Sequence, residues 1–262
     1  MEANLKNDIS LKPGQNADSS DEIVQNISNE VLEKYDVYSY RHAAAIMKTS
    51  FPVQLAEIEA ALLDFSITTQ DIAMPGGNES EIPKKFSTAL RPKNWHESRV
   101  QGDLVIRVFE QSEEILDNGK LKKHKLPEKQ KIVLENYIDG HKIDYVKGRV
   151  ALDLEWNSKD QTYDRDLYAF RMFHECGIIS VASLITRSEK LDPVFDVTPQ
   201  LRKDGTIELN KDGTKKLCNK KYGASTTWMG KLLYRLNAGR HGGCPVLVFG
   251  IRPDIITDWN ND

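Results

Sequence analysis

The chain predicts an α/β fold, a mixed β-sheet flanked by helices, and three stretches carry that prediction. From Val150 to Trp156 the residues alternate, with Val150, Leu152, Leu154 and Trp156 apolar on one side and Ala151, Asp153 and Glu155 on the other, which is the period of a half-buried strand. Tyr163, Leu167, Phe170 and His174 then recur at helical spacing until Gly177 stops the helix. Ile178 to Ile185 reads as a buried strand. A strand, helix, strand unit of this kind sets its two strands parallel.

Composition bounds the rest. With 262 residues, 39% hydrophobic and 29% charged, the chain is long enough for one core with elaborations. No apolar run approaches the roughly 18 residues of a membrane span, and the N-terminus lacks the basic and apolar regions of a signal peptide, so the expectation is a cytoplasmic protein with no membrane contact. Cys176, Cys218 and Cys244 are odd in number and widely spaced, which argues for buried thiols and against a disulfide framework or structural zinc. A net charge of -3 does not advertise a nucleic-acid binder, so any basic DNA-facing surface must be segregated from acidic faces.

Residues 1–20 are polar and read as a disordered tail. Ser19 and Glu22 suggest a capping box for a helix with Ile23, Ile27 and Val31 on one face. A strand at Tyr35–Tyr40 and a helix from His42 follow. After Pro52, Leu55, Ile58 and Leu62 mark another helix, on which Glu59 is a second candidate to approach an acidic site. Gly and Pro density from Met74 to Pro92 argues for a loop. Gly102 to Val108 alternates as a strand entering the sheet. The six lysines between Lys120 and Lys131 fit either a solvated loop or a non-specific phosphate contact. Lys203-Asp-Gly-Thr206 and Lys211-Asp-Gly-Thr214 repeat a hairpin-turn signal, giving a small β-hairpin insertion at about 195–221, either an arm over the substrate or a solvated hairpin. Trp228, Leu232 and Tyr234 suggest a helix ending at Gly239, and Pro245 to Ile251 a last strand. The expected organisation is one domain, 21–262, with an N-terminal helical layer.

The chemistry concentrates before and within the Val150 strand. If Lys147-Gly148 is a hairpin turn, Asp144 pairs opposite Ala151 and shares a face with Asp153 and Glu155, with Asp144 and Asp153 roughly 7–8 Å apart on the diagonal. Carboxylates so placed suit one hard cation, for which Mg²⁺ is the natural candidate. The bland alternative is a solvated acidic strand edge. An EF-hand is excluded because Ser158 occupies the position that needs Gly. His141 is three residues from Asp144, but a lone His near a turn is more often exposed than a ligand. No Ser/His/Asp arrangement, P-loop or dinucleotide fingerprint is present.

The pattern Asp144-x8-Asp153-x-Glu155 resembles the PD-(D/E)xK nucleases, with Glu155 standing where Lys is commonest. Further segments resemble the BglII and BstYI type II restriction endonucleases: Asn94-Trp-His-Glu-Ser-Arg99, Ile143 to Trp156, Asp166-Leu-Tyr-Ala-Phe170, and Leu232-Leu-Tyr-Arg-Leu-Asn-Ala-Gly-Arg240 leading to Pro245-Val-Leu-Val-Phe-Gly-Ile251. They follow the family's order from about Tyr35 to Ile251.

The resemblance implies a restriction-endonuclease-like fold in a single nuclease domain, and Mg²⁺-dependent hydrolysis of double-stranded DNA by a homodimer at a short palindromic site, with GATC-centred sites as the first guess. It assigns the metal to Asp144, Asp153 and the Leu154 carbonyl, and catalysis to Asp144, Asp153 and Glu155. By position in the family, Lys159, Tyr222 and Ser225 are the DNA-contact candidates. Glu155 departs from that family's Gln, while BamHI-like enzymes carry an acid there, which leaves one or two ions per site open. Two rivals share the sequence features: a structure-selective or repair nuclease, and a DNA-binding module with a decayed site.

Overall fold

In the computed structural model of the chain, residues 16–76, 81–138 and 141–259 are described. They form two compact units, one of residues up to Ser98 with those from Ile143 onward, the other Arg99–Lys142. Residues 1–15 of the expected tail lie outside the described residues. Its last residues are already folded, since Ala17 bridges Tyr40 and the Asp18 amide donates to the Ser39 carbonyl at 2.8 Å.

In the first unit, α1 (Ser20–Asn26) is capped by Ser19, whose hydroxyl accepts from the Glu22 amide at 3.3 Å. Only half of the expected capping box forms, because the Glu22 carboxylate turns instead to His42 Nδ1 at 2.8 Å. Then follow α2 (Asn29–Lys34), β1 (Tyr35–Tyr40), α3 (Ala43–Ser50), α4 (Pro52–Asp64), α5 (Thr69–Ala73) and α6 (Glu81–Leu90). Glu59 on α4 does not reach an acidic site; its Oε1 accepts from the Ser28 amide at 2.8 Å, at the start of α2. The loop expected over 74–92 holds α6. Ile82, Phe86 and Leu90 bury one helical face there, and Pro83 sits in the first turn, where a missing amide hydrogen costs nothing.

The central sheet has the order β1-β8-β7-β6-β5-β2, completed by β2 (His96–Arg99), β5 (Lys142–Lys147), β6 (Val150–Glu155), β7 (Val181–Arg187) and β8 (Val246–Ile251). As the strand, helix, strand pattern predicts, β6 and β7 are parallel, with α7 (Thr162–Glu175) between them in sequence. Gly177, at φ +72°, ends that helix in the left-handed conformation that suits glycine. Strands β7 and β8 are also parallel, while β1 with β8 and β5 with β6 run antiparallel. One apolar core joins Leu152, Leu154, Val181, Ile185, Leu247 and Phe249 of the sheet to Met47, Leu55, Ile58 and Leu62 of the helical layer.

Between β7 and β8 lie α8 (Asp192–Val197), the expected insertion, and α9 (Met229–Asn237). Both Asp-Gly turns form, with Gly205 and Gly213 at φ +82° and each Asp carboxylate accepting from the Thr two residues on. The insertion is built from single bridges, Pro199 to Leu217, Leu201 to Ile207 and Leu209 to Lys215, rather than a regular hairpin.

The second unit is a two-stranded antiparallel ribbon, β3 (Gly102–Ile115) with β4 (Leu121–Ile138). The sequence places Gly102–Val108 in the sheet and the lysine run in a loop. The structure instead places both in one ribbon, Gly102–Val108 facing Gln130–Ile138 and most of the lysine run facing Phe109–Ile115, and the turn at Asn118-Gly119, with Gly119 at φ +76°, is a strong hairpin signal that the expectation passes over. Pro127 falls where β4 gains a residue between Glu128 and Lys125, a bulge that spares the ladder a missing donor. Two of the six lysines meet acids across the ribbon, Lys123 at 3.6 Å from Glu113 and Lys129 with Glu110, while Lys131 stands opposite Arg107, which itself lies 3.2 Å from Glu128.

Candidate active site

The hairpin that carries the acids turns one residue later than expected. Gly148 and Arg149 form the turn, with Gly148 at φ +59°, as a first-position glycine in a type II′ turn requires. Tyr145 pairs with Leu152, Val146 with Ala151 and Lys147 with Val150. Continued by one pair, this register sets Asp144 opposite Asp153, not opposite Ala151. The partner shifts by two residues, so the face is unchanged and the acids still share it.

Hydrogen bonds lock the arrangement. The Asp144 amide donates to Asp153 Oδ1 at 2.7 Å, and the Leu154 amide donates to the Asp144 carboxylate. Strand β6 is buried on both faces rather than half-buried, since it lies between β5 and β7 and α7 packs on it. Asp153 and Glu155 are only 4% and 6% exposed. The Glu155 backbone is fixed as well, because its carbonyl accepts from the Thr186 hydroxyl at 2.8 Å.

A fourth acid joins them. Asp166, on α7, is 2% exposed, lies near enough to Glu155 for each carboxylate to act on the other, and accepts from Arg165 Nε and Nη2 on Oδ1 at 3.2 and 3.1 Å. The residue signals itself in the sequence, since it lies three after Tyr163 and four before Phe170, a charged residue on the apolar face of its helix.

Burial dominates the electrostatics. It raises the pKa of Asp144, Asp153 and Glu155; for Asp153 the neighbouring Asp166 and Asp144 carboxylates push further in the same direction. Asp166 is pushed up to about 8 by burial and then by Glu155. Arg91 favours, and Glu97 opposes, the charged form of Asp144.

Three carboxylate oxygens, Asp153 Oδ2, Glu155 Oε2 and Asp166 Oδ2, are buried without a hydrogen-bond partner. Such atoms are costly unless a cation or donor meets them. A donor set made only of carboxylate oxygen fits a hard divalent ion rather than zinc. The ligand atoms are not gathered tightly. Among the described residues, the one group of three within 4.8 Å is Asp18, Glu22 and His42, in which Asp18 Oδ2 accepts from the His42 amide at 2.8 Å and so serves the start of α3.

The DNA-contact candidates separate. Lys159 and Ser225 are exposed and adjacent, since Lys159 bridges Thr226 and the Asp160 amide donates to the Ser225 carbonyl at 3.1 Å. Tyr222 is buried, contrary to a role in contacting DNA. Its hydroxyl donates to the Ile72 carbonyl at 3.0 Å and accepts from Trp156 Nε1 at 3.3 Å, and its ring stacks on Phe195 at 4.4 Å. His141 belongs to the ribbon unit.

The residue that organises this loop pair is Arg187, 1% exposed at the end of β7. Its Nε donates to the Trp156 carbonyl at 2.6 Å, and its Nη2 to the Thr227 carbonyl at 2.6 Å and the Thr226 hydroxyl at 2.7 Å. Burial lowers its pKa to about 10, and it still carries its charge at neutral pH. An arginine directly after an apolar strand was the available signal.

Comparison with known proteins places the chain in a family. The family model described as restriction endonuclease BglII/BglIII matches residues 35–251. Among curated proteins none matches the chain. Restriction endonucleases generally use divalent metal ions, in keeping with the donor set of the four acids. Among the described residues no helix is long and apolar enough to cross a membrane. The match covers most of the chain and includes the acid-bearing hairpin, and the chain belongs to the BglII/BglIII restriction endonuclease family, a family of DNA-binding nucleases.

Proposed function

We propose that this protein is a Mg²⁺-dependent type II restriction endonuclease that hydrolyses phosphodiester bonds in both strands of a short palindromic site. The observation that carries the reading is the set of buried, unpartnered carboxylate oxygens on Asp153, Glu155 and Asp166 beside the hydrogen-bonded pair Asp144 and Asp153.

Asp144 and Asp153, with the Leu154 carbonyl, would hold the ion. When bound, Mg²⁺ supplies charge to polarise the scissile phosphate and lowers the pKa of water. Glu155 orients the attacking water or takes its proton, a role that its raised pKa suits. It could instead share a second ion with Asp166. Lys159 and Ser225 present polar groups at one exposed loop pair, where they can meet DNA. A homodimer follows from the target, since two-fold protein symmetry mirrors a palindrome. A soluble cytoplasmic enzyme is the setting this reading implies.

Digestion of a plasmid of mixed sequence with and without Mg²⁺, followed by sequencing of the cut ends, tests the proposal. Discrete Mg²⁺-dependent bands with a common palindrome at every end are expected, with GATC-centred sites examined first. A smear would favour a structure-selective or repair nuclease, and binding without cleavage a decayed site.

A further inference from the structure

Strand β6 brings two carboxylates, Asp153 and Glu155, to the site and no cation, because Glu155 occupies the position where Lys is commonest in the wider superfamily. A positive charge arrives from elsewhere. Arg165, in the first turn of α7, places Nη2 3.9 Å from Glu155 Oε1 while two of its nitrogens hold Asp166 Oδ1. Its charge also acts on Asp144, and the Asp153 carboxylate acts on it in return.

Exposure separates Arg165 from its surroundings. Its side chain is 50% exposed, whereas those of Glu155 and Asp166 are 8% and 2% exposed. One edge of the guanidinium, Nε and Nη2, is held on Asp166, while the side chain as a whole stays half exposed. Arg91, whose charge also acts on Asp144, is committed elsewhere, lying over the Tyr145 ring at 4.6 Å and donating to the Trp95 carbonyl.

We propose that Arg165 is a catalytic residue, whose guanidinium contacts a non-bridging oxygen of the scissile phosphate and supplies the positive charge that Lys brings at position 155 in the wider superfamily. The inference rests on the nuclease reading. Hydrolysis joins a water oxygen to phosphorus and breaks one ester P–O bond, with one water proton given up and one proton delivered to the leaving oxygen. Arg165 exchanges no proton; it stabilises the charge that gathers on the phosphoryl oxygens.

This role has an unusual signature. A cation beside four acids opposes metal binding, so its removal should slow chemistry while leaving the protein's affinity for a divalent ion unchanged or higher. Single-turnover cleavage and Mn²⁺ binding to the protein alone are measured for the wild type, Arg165→Ala, Arg165→Gln and Arg165→Lys. We expect Arg165→Ala and Arg165→Gln to cleave about 10²-fold slower or worse, Mn²⁺ to bind as tightly or several-fold tighter, and Arg165→Lys to recover part of the rate. Cleavage by Arg165→Ala close to the wild-type rate overturns the inference. So does a joint loss of Mn²⁺ affinity and cleavage, which would make Arg165 a support for the acids. A wild type that binds Mn²⁺ yet cleaves no DNA would overturn the nuclease reading itself, and is distinguished by the wild-type lane alone.

Discussion

The Asp144 amide and the Asp153 carboxylate are joined across the hairpin at 2.7 Å, and the Leu154 amide returns the link to the Asp144 side chain. Asp144→Asn preserves both connections, since an amide oxygen still accepts from Leu154. It removes one negative charge and one hard ligand. The variant should lose cleavage while binding duplex DNA in EDTA as well as, or better than, the wild type, because fewer carboxylates then repel the phosphates. Fluorescence anisotropy reads this directly. Loss of binding together with cleavage would place Asp144 in the fold rather than in the chemistry.

Arg187 ties the loop after β6 to the Thr226-Thr227 segment through three acceptors. A lysine cannot span them from one nitrogen. Arg187→Lys should cost roughly 2–4 kcal/mol, the scale of losing one or two charged hydrogen bonds in a buried site. A lowered melting temperature and faster hydrogen exchange at Thr227, whose amide donates to the Ser158 carbonyl at 2.9 Å, are the expected readouts. Unchanged exchange there would show that the loops hold without it.

The acid-bearing hairpin and the parallel β6, β7 pair were legible in the sequence because a two-residue period and a helical period are local properties. The site survived a wrong turn for a physical reason. Moving the turn from Lys147-Gly148 to Gly148-Arg149 shifts the partner of Asp144 by two, and a shift of two keeps the face. Burial was not legible: nothing local says that β6 lies inside a sheet, so two acids that read as half-exposed are buried. Long-range pairing was missed for the same reason, since Gly102–Val108 pairs with Gln130–Ile138 and a lysine-rich segment that composition alone reads as a loop pairs with the rest of β3. Tyr222 shows the limit of transfer by position, because an aromatic hydroxyl can serve the core as well as a groove.

Asp166 makes the metal-free protein sensitive to pH. Its carboxyl is raised from the ordinary 3.8 to about 8 by burial and then by Glu155. A raised folded-state pKa contributes stability that is fully present below the unfolded value and is lost as pH rises through the folded one. Thermal melts in EDTA from about pH 5 to about pH 8 should therefore show falling stability, with this carboxyl giving up to about 1.4 kcal/mol per pH unit. Asp153 and Glu155, raised in the same direction, add to the trend. Asp166→Asn should reduce the slope, and Mg²⁺ should raise the melting temperature most at the alkaline end. A variant that follows the wild-type slope would remove Asp166 from this account.

The division of labour between Asp153 and Glu155 is the central claim, and one measurement addresses it. Single-turnover cleavage of one duplex in Mg²⁺ is compared for the wild type, Asp153→Asn and Glu155→Gln. Asp153→Asn should lose activity, as a buried ligand whose Oδ1 already serves the Asp144 amide and whose Oδ2 is unpartnered. Glu155→Gln should keep measurable Mg²⁺-dependent cleavage, since the similar BglII-like enzymes carry Gln there, slowed by roughly 10²–10⁴ if Glu155 is the general base and less if it only positions water. Near-normal cleavage by Asp153→Asn together with complete loss in Glu155→Gln would contradict the account and reverse the two roles.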